Sequence, residues 1–305
     1  MQRDVCIIPT INEKPMAGRH RVLAIFFACA TLAGASIGLA QEAQKTQGAA
    51  VSQEAGCPSP TGPPVQIASV DTHLELRLAD GRKLRLRGIE PPRGTPGNPG
   101  LAEAARLFLA DRVEGMKLSA DIAVGAPDRW GRQLAILASD RAVSTSAELI
   151  AAGWARFEPG DAQPGCETTL LRLESNARDA RQGLWADPAY AVLAANDHAS
   201  FAGRGGQIVL MEGTIVSTGQ WRSLTFLNLG RDRRADPAIV LSRRLAAALE
   251  KTGQPIASLK GARIRVRGLL QTRNSPRIEI YSTQALERLA PADLEPNQPK
   301  KSSQN

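Results

Sequence analysis

The chain has 305 residues, enough for two domains with cores of ordinary size. It is 43% hydrophobic but only 4% aromatic, so aliphatic side chains must form most of any core. Its three histidines are scattered, which excludes a histidine-rich metal site, and its formal net charge is +8.

The positive charge is concentrated in the second half. Residues 60–200 carry 16 Lys and Arg against 18 Asp and Glu, whereas residues 205–290 carry 14 against 6. This distribution predicts a polyanionic partner, such as nucleic acid or a phospholipid surface. The alternative is an arginine-rich surface that binds nothing.

Residues 1–40 have the pattern of a secretory signal peptide. A basic stretch at residues 19–21 precedes an apolar run over residues 22–39, and residues 38–40 fit a small-x-small cleavage site. We therefore expect a secreted or periplasmic protein with no stable membrane insertion after cleavage, with Met16 as an alternative start. An uncleaved anchor is the other interpretation, because the apolar run approaches the length that spans a bilayer.

A β-hairpin is predicted after a flexible lead-in over residues 41–64, which are rich in Gln, Ala, Ser, Gly and Pro. Residues 65–93 alternate apolar and polar side chains in two runs around Asp80-Gly81. Asp71 and Glu90 lie at the two outer ends of this hairpin. Two carboxylates in this arrangement could hold a hard cation with oxygen ligands, or they could simply be solvated.

More helices and strands are expected after the hairpin. The pattern predicts a helix over 101–113, strands over 117–124 and 133–138, a helix from Ala147 capped by Ser146 and ended by Gly153, and a helix over 168–181. Five strands with helices at these points predict a small barrel of the oligonucleotide/oligosaccharide-binding (OB) kind.

Several motifs occur along residues 65–195 in a characteristic order. After the hairpin come DRWGR at 128–132, AELIAAGWA at 147–155 and ARQGLW at 180–185. In this order they resemble the staphylococcal nuclease (thermonuclease) family. The resemblance implies an OB barrel and a calcium-dependent phosphodiesterase that acts on DNA and RNA.

The resemblance also implies roles for individual residues. Asp71 in SVDT and Glu90 in GIEPPR match the two metal carboxylates, while Arg85 in KLRLRGIE and Arg132 in DRWGR match the two phosphate-binding arginines. Arg93 stands where the family has its catalytic glutamate. An arginine cannot act as a general base, and it brings positive charge close to any metal.

We therefore expect a degenerate site. Arg93 is predicted to pair with Asp71 and Glu90 in place of a metal, so that the protein needs no cofactor, or Ca²⁺ if it is active. His73, which follows Asp71, is an alternative base. Whether the protein is an enzyme stays open.

A second OB-like domain is predicted over residues 207–290, after a linker at 196–206 and before a disordered tail at 291–305. Its expected strands and helix follow the order strand-strand-strand-helix-strand-strand, at 207–216, 224–229, 238–241, 242–250, 262–270 and 277–281. The fold class is therefore mainly β with helices (α+β), in two OB-like five-stranded barrels.

Nucleic-acid contacts are predicted in this second domain. Trp221, Phe226 and Tyr281 are the aromatic side chains that could stack on bases of single-stranded DNA or RNA. Arg222, Arg265 and Arg267 are predicted to contact the backbone, the last two from one face of a strand. The alternative is that Phe226 and Tyr281 fill the barrel and the arginines are only solvated.

Two cysteines remain after the signal. Cys57 and Cys166 are predicted to form a disulfide between the lead-in and the loop before the last helix of the first domain.

Three functions stay open on the sequence: a secreted thermonuclease-like binding protein with a degenerate site, an active nuclease, or a periplasmic module that binds protein or glycan. The sequence does not predict an oligomeric state.

Overall fold

The computed structural model describes residues 57–138 and 143–290. The predicted signal, most of the lead-in and the predicted tail lie outside these residues. Within the described residues, no helix has both the length and the apolar character needed to cross a membrane.

The first barrel is a closed five-stranded sheet in the order β1-β2-β3-β6-β5. Its strands are β1 Pro64–Val70, β2 Glu75–Leu78, β3 Lys83–Leu86, β5 Lys117–Ile122 and β6 Arg132–Ala138. The pair β3–β6 is parallel and the other pairs are antiparallel. Alternate side chains such as Leu76, Leu84 and Leu86 point into the core. The expected OB barrel and the α+β class are therefore confirmed.

Three helices and a small sheet surround this barrel. They are α1 Leu101–Val113, α2 Thr145–Ala151, α3 Glu167–Asp179, and the pair of β4 Ile89–Glu90 with β7 Arg156–Phe157. The predicted cap of α2 was wrong by two residues. Ser144 is the N-cap, because its Oγ accepts from the Ala147 N–H at 3.1 Å, while Ser146 Oγ donates to the Arg87 carbonyl at 2.8 Å.

The described residues up to 192 are called the first unit, and residues 193–290 the second unit. The second unit contains a sheet of eight strands rather than the five expected. These are β8 Leu193–Ala194, β9 Ile208–Thr214, β10 Ser217–Trp221, β11 Leu224–Asn228, β12 Ala238–Ser242, β13 Arg263–Gln271, β14 Arg277–Glu279 and β15 Leu286–Arg288. Helix α4, Arg243–Lys251, follows β12 and is capped by Ser242. Gly219 and Gln220, expected between strands, lie within β10, and the hairpin turns at Arg222 instead, where φ is 52°.

The pairing order of the second sheet follows that of the first barrel. It runs β10-β11-β12-β14-β13-β9-β8 with β15 on β13, and β12–β14 is parallel as β3–β6 is. Only two residues separate β9 from β10, so the two can be counted as one bent strand. The second OB-like barrel stays a prediction, which this pairing order supports.

A buried ion pair joins the two units. Arg267 on β13 donates through Nη1 to Glu174 Oε1 on α3, at 3.0 Å, and to the Phe157 carbonyl of β7, at 2.7 Å. The Phe157 N–H in turn donates to Glu174 Oε1 at 2.8 Å. Burial alone would raise the pKa of Glu174, but the charge and hydrogen bonds of Arg267 outweigh it and hold that pKa below its ordinary value.

Apolar and polar contacts surround this pair. Leu210 of β9 packs into a cluster with Leu101 of α1 and with Leu184 and Trp185 of the first unit. Arg156 of β7 donates to the Ile208 carbonyl at 3.0 Å. The sheet of the second unit therefore packs directly against the last strand and last helix of the first.

The predicted disulfide between Cys57 and Cys166 is present and closes a segment of 109 residues. Cys166 is buried immediately before α3, so the bond ties the start of the described chain to the base of that helix.

We expect Cys57→Ala/Cys166→Ala to lose about 2–5 kcal/mol of unfolding free energy, because the open chain gains conformational entropy when unfolded. Urea unfolding followed by tryptophan fluorescence measures this loss. Reductant should destabilise the wild type and leave the double variant unchanged. Equal unfolding midpoints for the oxidised and reduced wild type would contradict this role.

We expect Glu174→Gln to lose about 3–5 kcal/mol, because it leaves the buried Arg267 charge without its closest carboxylate and with only Glu287, at 3.4 Å. Since the folded-state pKa of Glu174 is depressed, its contribution is present above the ordinary pKa and is lost as pH falls through the lower folded value. Denaturant unfolding at neutral and acidic pH measures both effects.

The matched control is Glu103→Gln, which breaks the exposed pair between Glu103 and Arg106. Exposed pairs contribute little, so this variant should unfold close to the wild type. A Glu174→Gln protein as stable as Glu103→Gln would show that the buried pair does not hold the two units together.

Candidate functional site

Asp71 shapes the turn between β1 and β2. Its Oδ1 accepts hydrogen bonds from the N–H groups of His73 and Glu75, both at 2.9 Å. Leu74, inside this turn, has φ of 57° and a buried side chain. The carboxylate therefore satisfies backbone donors of a tight turn, and His73 is exposed beside it.

Glu90 is paired with Arg156, a residue that the sequence did not single out. Strands β4 and β7 place the two residues opposite each other, and Arg156 Nη2 lies 2.9 Å from Glu90 Oε1. The guanidinium of Arg156 is buried, so its charge depends on this carboxylate. Glu90 is thereby directed toward the second unit rather than toward the outer end of the hairpin.

Arg85 binds the carboxylate of Asp161, in the loop before α3. The other oxygen of Asp161 accepts from the Gly88 N–H at 2.9 Å, and its carbonyl accepts from Arg87 Nε at 2.9 Å. Asp161 therefore holds its own loop against the end of strand β3. It also neutralises Arg85, the first of the two arginines predicted to bind phosphate.

Arg132 binds two carboxylates. It donates to Glu75 on β2 and, through Nε, to Asp128 Oδ2 at 2.8 Å. The hydrogen bond from the Arg132 side chain is the largest cause that lowers the pKa of Asp128 to about 2. The Trp130 ring lies beneath the Arg132 guanidinium, 4.6 Å from it, so the DRWGR motif forms a compact turn.

Both arginines lie near Glu75, but only Arg132 is bonded to it. Glu75 lies opposite Arg85 in the β2–β3 ladder and is bonded to Arg132 on β6. Asp161, Glu75 and Asp128 were all missed by the sequence analysis. Glu75 and Asp161 carry no local pattern, because each lies close to its arginine only after the barrel closes, whereas Asp128 is bonded to Arg132 within the DRWGR turn, four residues away.

The predicted cluster of Asp71, Arg93 and Glu90 does not form among the described contacts. Arg93 is exposed, and its backbone N–H and carbonyl are both bonded to the Tyr190 hydroxyl, at 2.7 and 3.1 Å. Its guanidinium has no ion pair in the described part of the chain. Asp71 and Glu90 have other partners, in a turn and on β7 respectively, because the register of β4 and β7 favours Arg156.

Calcium does not fit the donor set present here. The ion takes six to eight oxygen ligands, usually with several carboxylates. Asp71 and Glu90 are engaged elsewhere, and no group of three or more His, Cys, Asp or Glu side chains within the described residues could hold a metal.

Of Trp221, Arg222, Arg265 and Arg267, which are predicted to contact nucleic acid, two are not available for it. Arg267 is buried in the ion pair with Glu174, and Arg265 on the same face of β13 binds Glu212 at 2.7 Å. The prediction for Arg267 was wrong because α3 and β7 cover this side chain, while the half-buried Arg265 is bound by Glu212 on the neighbouring strand β9.

The other two residues, Trp221 and Arg222, lie at the exposed β10–β11 turn. The Trp221 side chain is 59% exposed, and the Arg222 guanidinium lies 4.5 Å from its ring. Tyr281 is 81% exposed and Phe226 is half-buried, so Tyr281 does not fill the barrel. Leu227 and Thr225 are the buried side chains of β11.

Comparison with known proteins agrees with the geometry of the first unit. The family model described as staphylococcal nuclease homologue matches residues 83–187, which include Arg85, Glu90, Arg93 and Arg132. No curated protein matches the chain. Residues 83–187 therefore form a domain of the staphylococcal nuclease homologue family.

Proposed function

We propose that the protein binds nucleic acid, or a similar polyanion, through its second unit, and that its nuclease-like domain does not cleave. The observation that carries the second part is that Asp71, Glu90, Arg85 and Arg132, the four groups matched to the family's metal and phosphate positions, are all engaged within the chain. Arg93 itself is an arginine where the family has glutamate. A staphylococcal nuclease homologue domain suggests either nucleic-acid binding or nucleic-acid cleavage, and of these two we propose binding.

The site lacks a general base for the water that would attack the phosphodiester. Hydrolysis of a phosphodiester gains roughly 10²–10⁴-fold in rate from a positioned general base. The Arg93 guanidinium cannot accept that proton, and Tyr190 fixes the backbone of Arg93 at both its N–H and its carbonyl. The Glu90 carboxylate neutralises the buried Arg156 and would leave that charge unpaired if it turned toward a substrate.

The second unit combines positive charge with exposed aromatic rings. Residues 205–290 carry eight more basic than acidic side chains, 14 against 6. Trp221 with Arg222 stacked on it, and Tyr281, offer exposed rings on which bases could stack, at about 1–3 kcal/mol each. Positive charge beside exposed aromatic rings is the combination that single-stranded nucleic acid requires.

Secretion to the periplasm or the medium is part of the proposal. It is supported by the signal pattern of residues 1–40, and the disulfide between Cys57 and Cys166 is consistent with an oxidising compartment.

A nuclease of the same family is the second candidate. The placement of Arg85 and Arg132 on neighbouring strands favours it, because a phosphate could contact both guanidinium groups if it displaced Asp161 and Glu75, the carboxylates that bind them.

We expect the wild type to leave single-stranded DNA and RNA intact with or without calcium, because the site lacks a general base. Denaturing gels of labelled oligonucleotides, run beside Arg93→Glu and Asp71→Ala, measure this. Cleavage appearing only in Arg93→Glu would identify a disarmed nuclease. Cleavage by the wild type that Asp71→Ala abolishes would overturn the proposal.

We expect Trp221→Ala to weaken binding of a single-stranded oligonucleotide about 5- to 150-fold, which corresponds to the loss of one stacked base. Fluorescence anisotropy at low salt measures the affinity, and binding should weaken as salt rises.

The matched control is Trp130→Ala, since Trp130 is exposed to a similar extent, 55%, but lies on the first barrel. It should bind like the wild type. If Trp130→Ala weakens binding and Trp221→Ala does not, the strand lies on the first barrel instead. No binding at low salt would refute the proposed function.

A further inference from the structure

A cleft of about 400 Å³ lies in the second unit, apart from the nuclease-like site. Three segments form its walls: the 3₁₀ turn His198–Phe201, the loop between β11 and β12, and the loop between β13 and β14. Its volume lies within the range of small-molecule sites.

The lining of this cleft is rich in hydrogen-bond donors and contains no carboxylate. Arg234 provides a guanidinium, His198 an imidazole, and Thr272, Asn274 and Ser275 provide hydroxyl or amide groups. A donor-rich wall without acidic side chains is complementary to an anion, and a guanidinium matches the oxygens of a phosphate.

More arginines extend from the same two loops. Arg231 and Arg233 lie in the first loop and Arg273 in the second, and all three are exposed, as Arg234 is. None of these four guanidinium groups has a hydrogen-bond or ion-pair partner among the described residues. The inner arginines of the sheet differ, since Arg263 and Arg265 share the carboxylate of Glu212. Four unpaired guanidinium groups of this unit therefore lie in the two loops that form the cleft.

The walls of the cleft are held in place by Asp236. Its Oδ1 lies 2.9 Å from His198 Nε2, and its Oδ2 accepts from the Asp232 N–H at 2.8 Å. The hydrogen bond from Asp232 is the largest cause of a pKa of Asp236 below its ordinary value. A Cβ at Gly230 would lie 2.0 Å from Oδ2, so only glycine allows this close packing. One carboxylate thus fixes both the loop and the imidazole.

We propose that this cleft binds the phosphate group of a nucleotide, with Arg234 of its lining as the main contact and with the exposed Arg273, which lies between the lining residues Thr272 and Asn274, as a second. The phosphate accepts hydrogen bonds from the guanidinium groups and from the hydroxyl and amide groups of the β13–β14 loop. The buried ring of Phe201, whose centroid is 6.0 Å from that of His198, belongs to the core of this unit and supports the wall from behind.

The cleft lies within reach of a nucleic-acid strand bound at Trp221. This link between the cleft and Trp221 rests on the proposed function. Trp221 lies opposite Leu224 at the start of β11, and the cleft lies beyond Asn228 at its end. Five residues of strand span roughly 14 Å. A single strand stacked on Trp221 could therefore place a phosphate in the cleft within a few nucleotides, a length usual for one barrel of this type.

The test uses the full mature protein and isothermal titration with thymidine 5′-monophosphate and with thymidine at low salt. We expect the monophosphate to bind at least about tenfold more tightly than thymidine, because only the phosphate engages the guanidinium groups. Arg234→Gln/Arg273→Gln should lose this preference. Circular dichroism verifies that the variant folds, as expected for exposed side chains without partners.

The matched control is Lys260→Gln/Arg288→Gln, which removes the same charge from exposed residues at the opposite end of β13. It should bind the monophosphate as the wild type does. Equal affinities for monophosphate and thymidine, or equal losses in both double variants, would overturn the assignment.

An oligonucleotide titration separates this inference from the proposed function. If the oligonucleotide binds and depends on Trp221 but not on Arg234 and Arg273, the proposed function stands and the cleft assignment fails. If the monophosphate binds in the cleft and no oligonucleotide binds, the cleft is a mononucleotide site and the proposed function fails.

Discussion

The buried pair of Glu174 and Arg267 is the interaction on which the arrangement of the two units depends. It brings the last helix of the first unit, its last strand and the central strand β13 of the second into one hydrogen-bonded group. A charged pair taken out of water is costly unless its geometry is good and its remaining atoms are bonded. Here Phe157 supplies a donor and an acceptor, although Arg267 Nε is buried without a partner.

This arrangement determines which arginines are free. The face of β13 that would otherwise present Arg265 and Arg267 to solvent packs against α3 and β7, while the loops at the far end of β11 and β13 stay exposed. Positive charge is therefore neutralised at the contact between the units and left unpaired at the cleft and near Trp221. The net charge of the second unit gives no indication of this division, which comes from packing.

Charges at the nuclease-like site are also neutralised by partners within the chain. Arg85 and Arg132 keep their positions on β3 and β6, but each is neutralised by carboxylates of this chain, and Glu90 is paired with Arg156 because β4 and β7 are in register. The family fold is retained while the charges that would hold a metal are engaged internally. Arg93 then projects from a segment that Tyr190 fixes through the backbone.

Much of the fold could be predicted from the sequence, whereas most of the site's partners could not. Alternation around Asp80-Gly81 is a local signal, and it placed the hairpin correctly. The cap at Ser144 was missed by two residues because Ser146 is an equally good candidate in the sequence. Arg156 and Asp161 are joined to Glu90 and Arg85 by register and loop packing over 66 and 76 residues, which leave no local pattern. Arg267 was wrongly predicted to be accessible to nucleic acid. The alternation of apolar and polar residues indicates which side chains point away from the core of their own sheet, but not which elements pack over them.

The most direct measurement of the central claim is made on a single sample. A labelled single-stranded oligonucleotide is incubated with the protein and calcium at low salt, and one half is run on a native gel and the other on a denaturing gel. The account predicts a retarded band in the first and full-length oligonucleotide in the second. Shortened products that require calcium would contradict it.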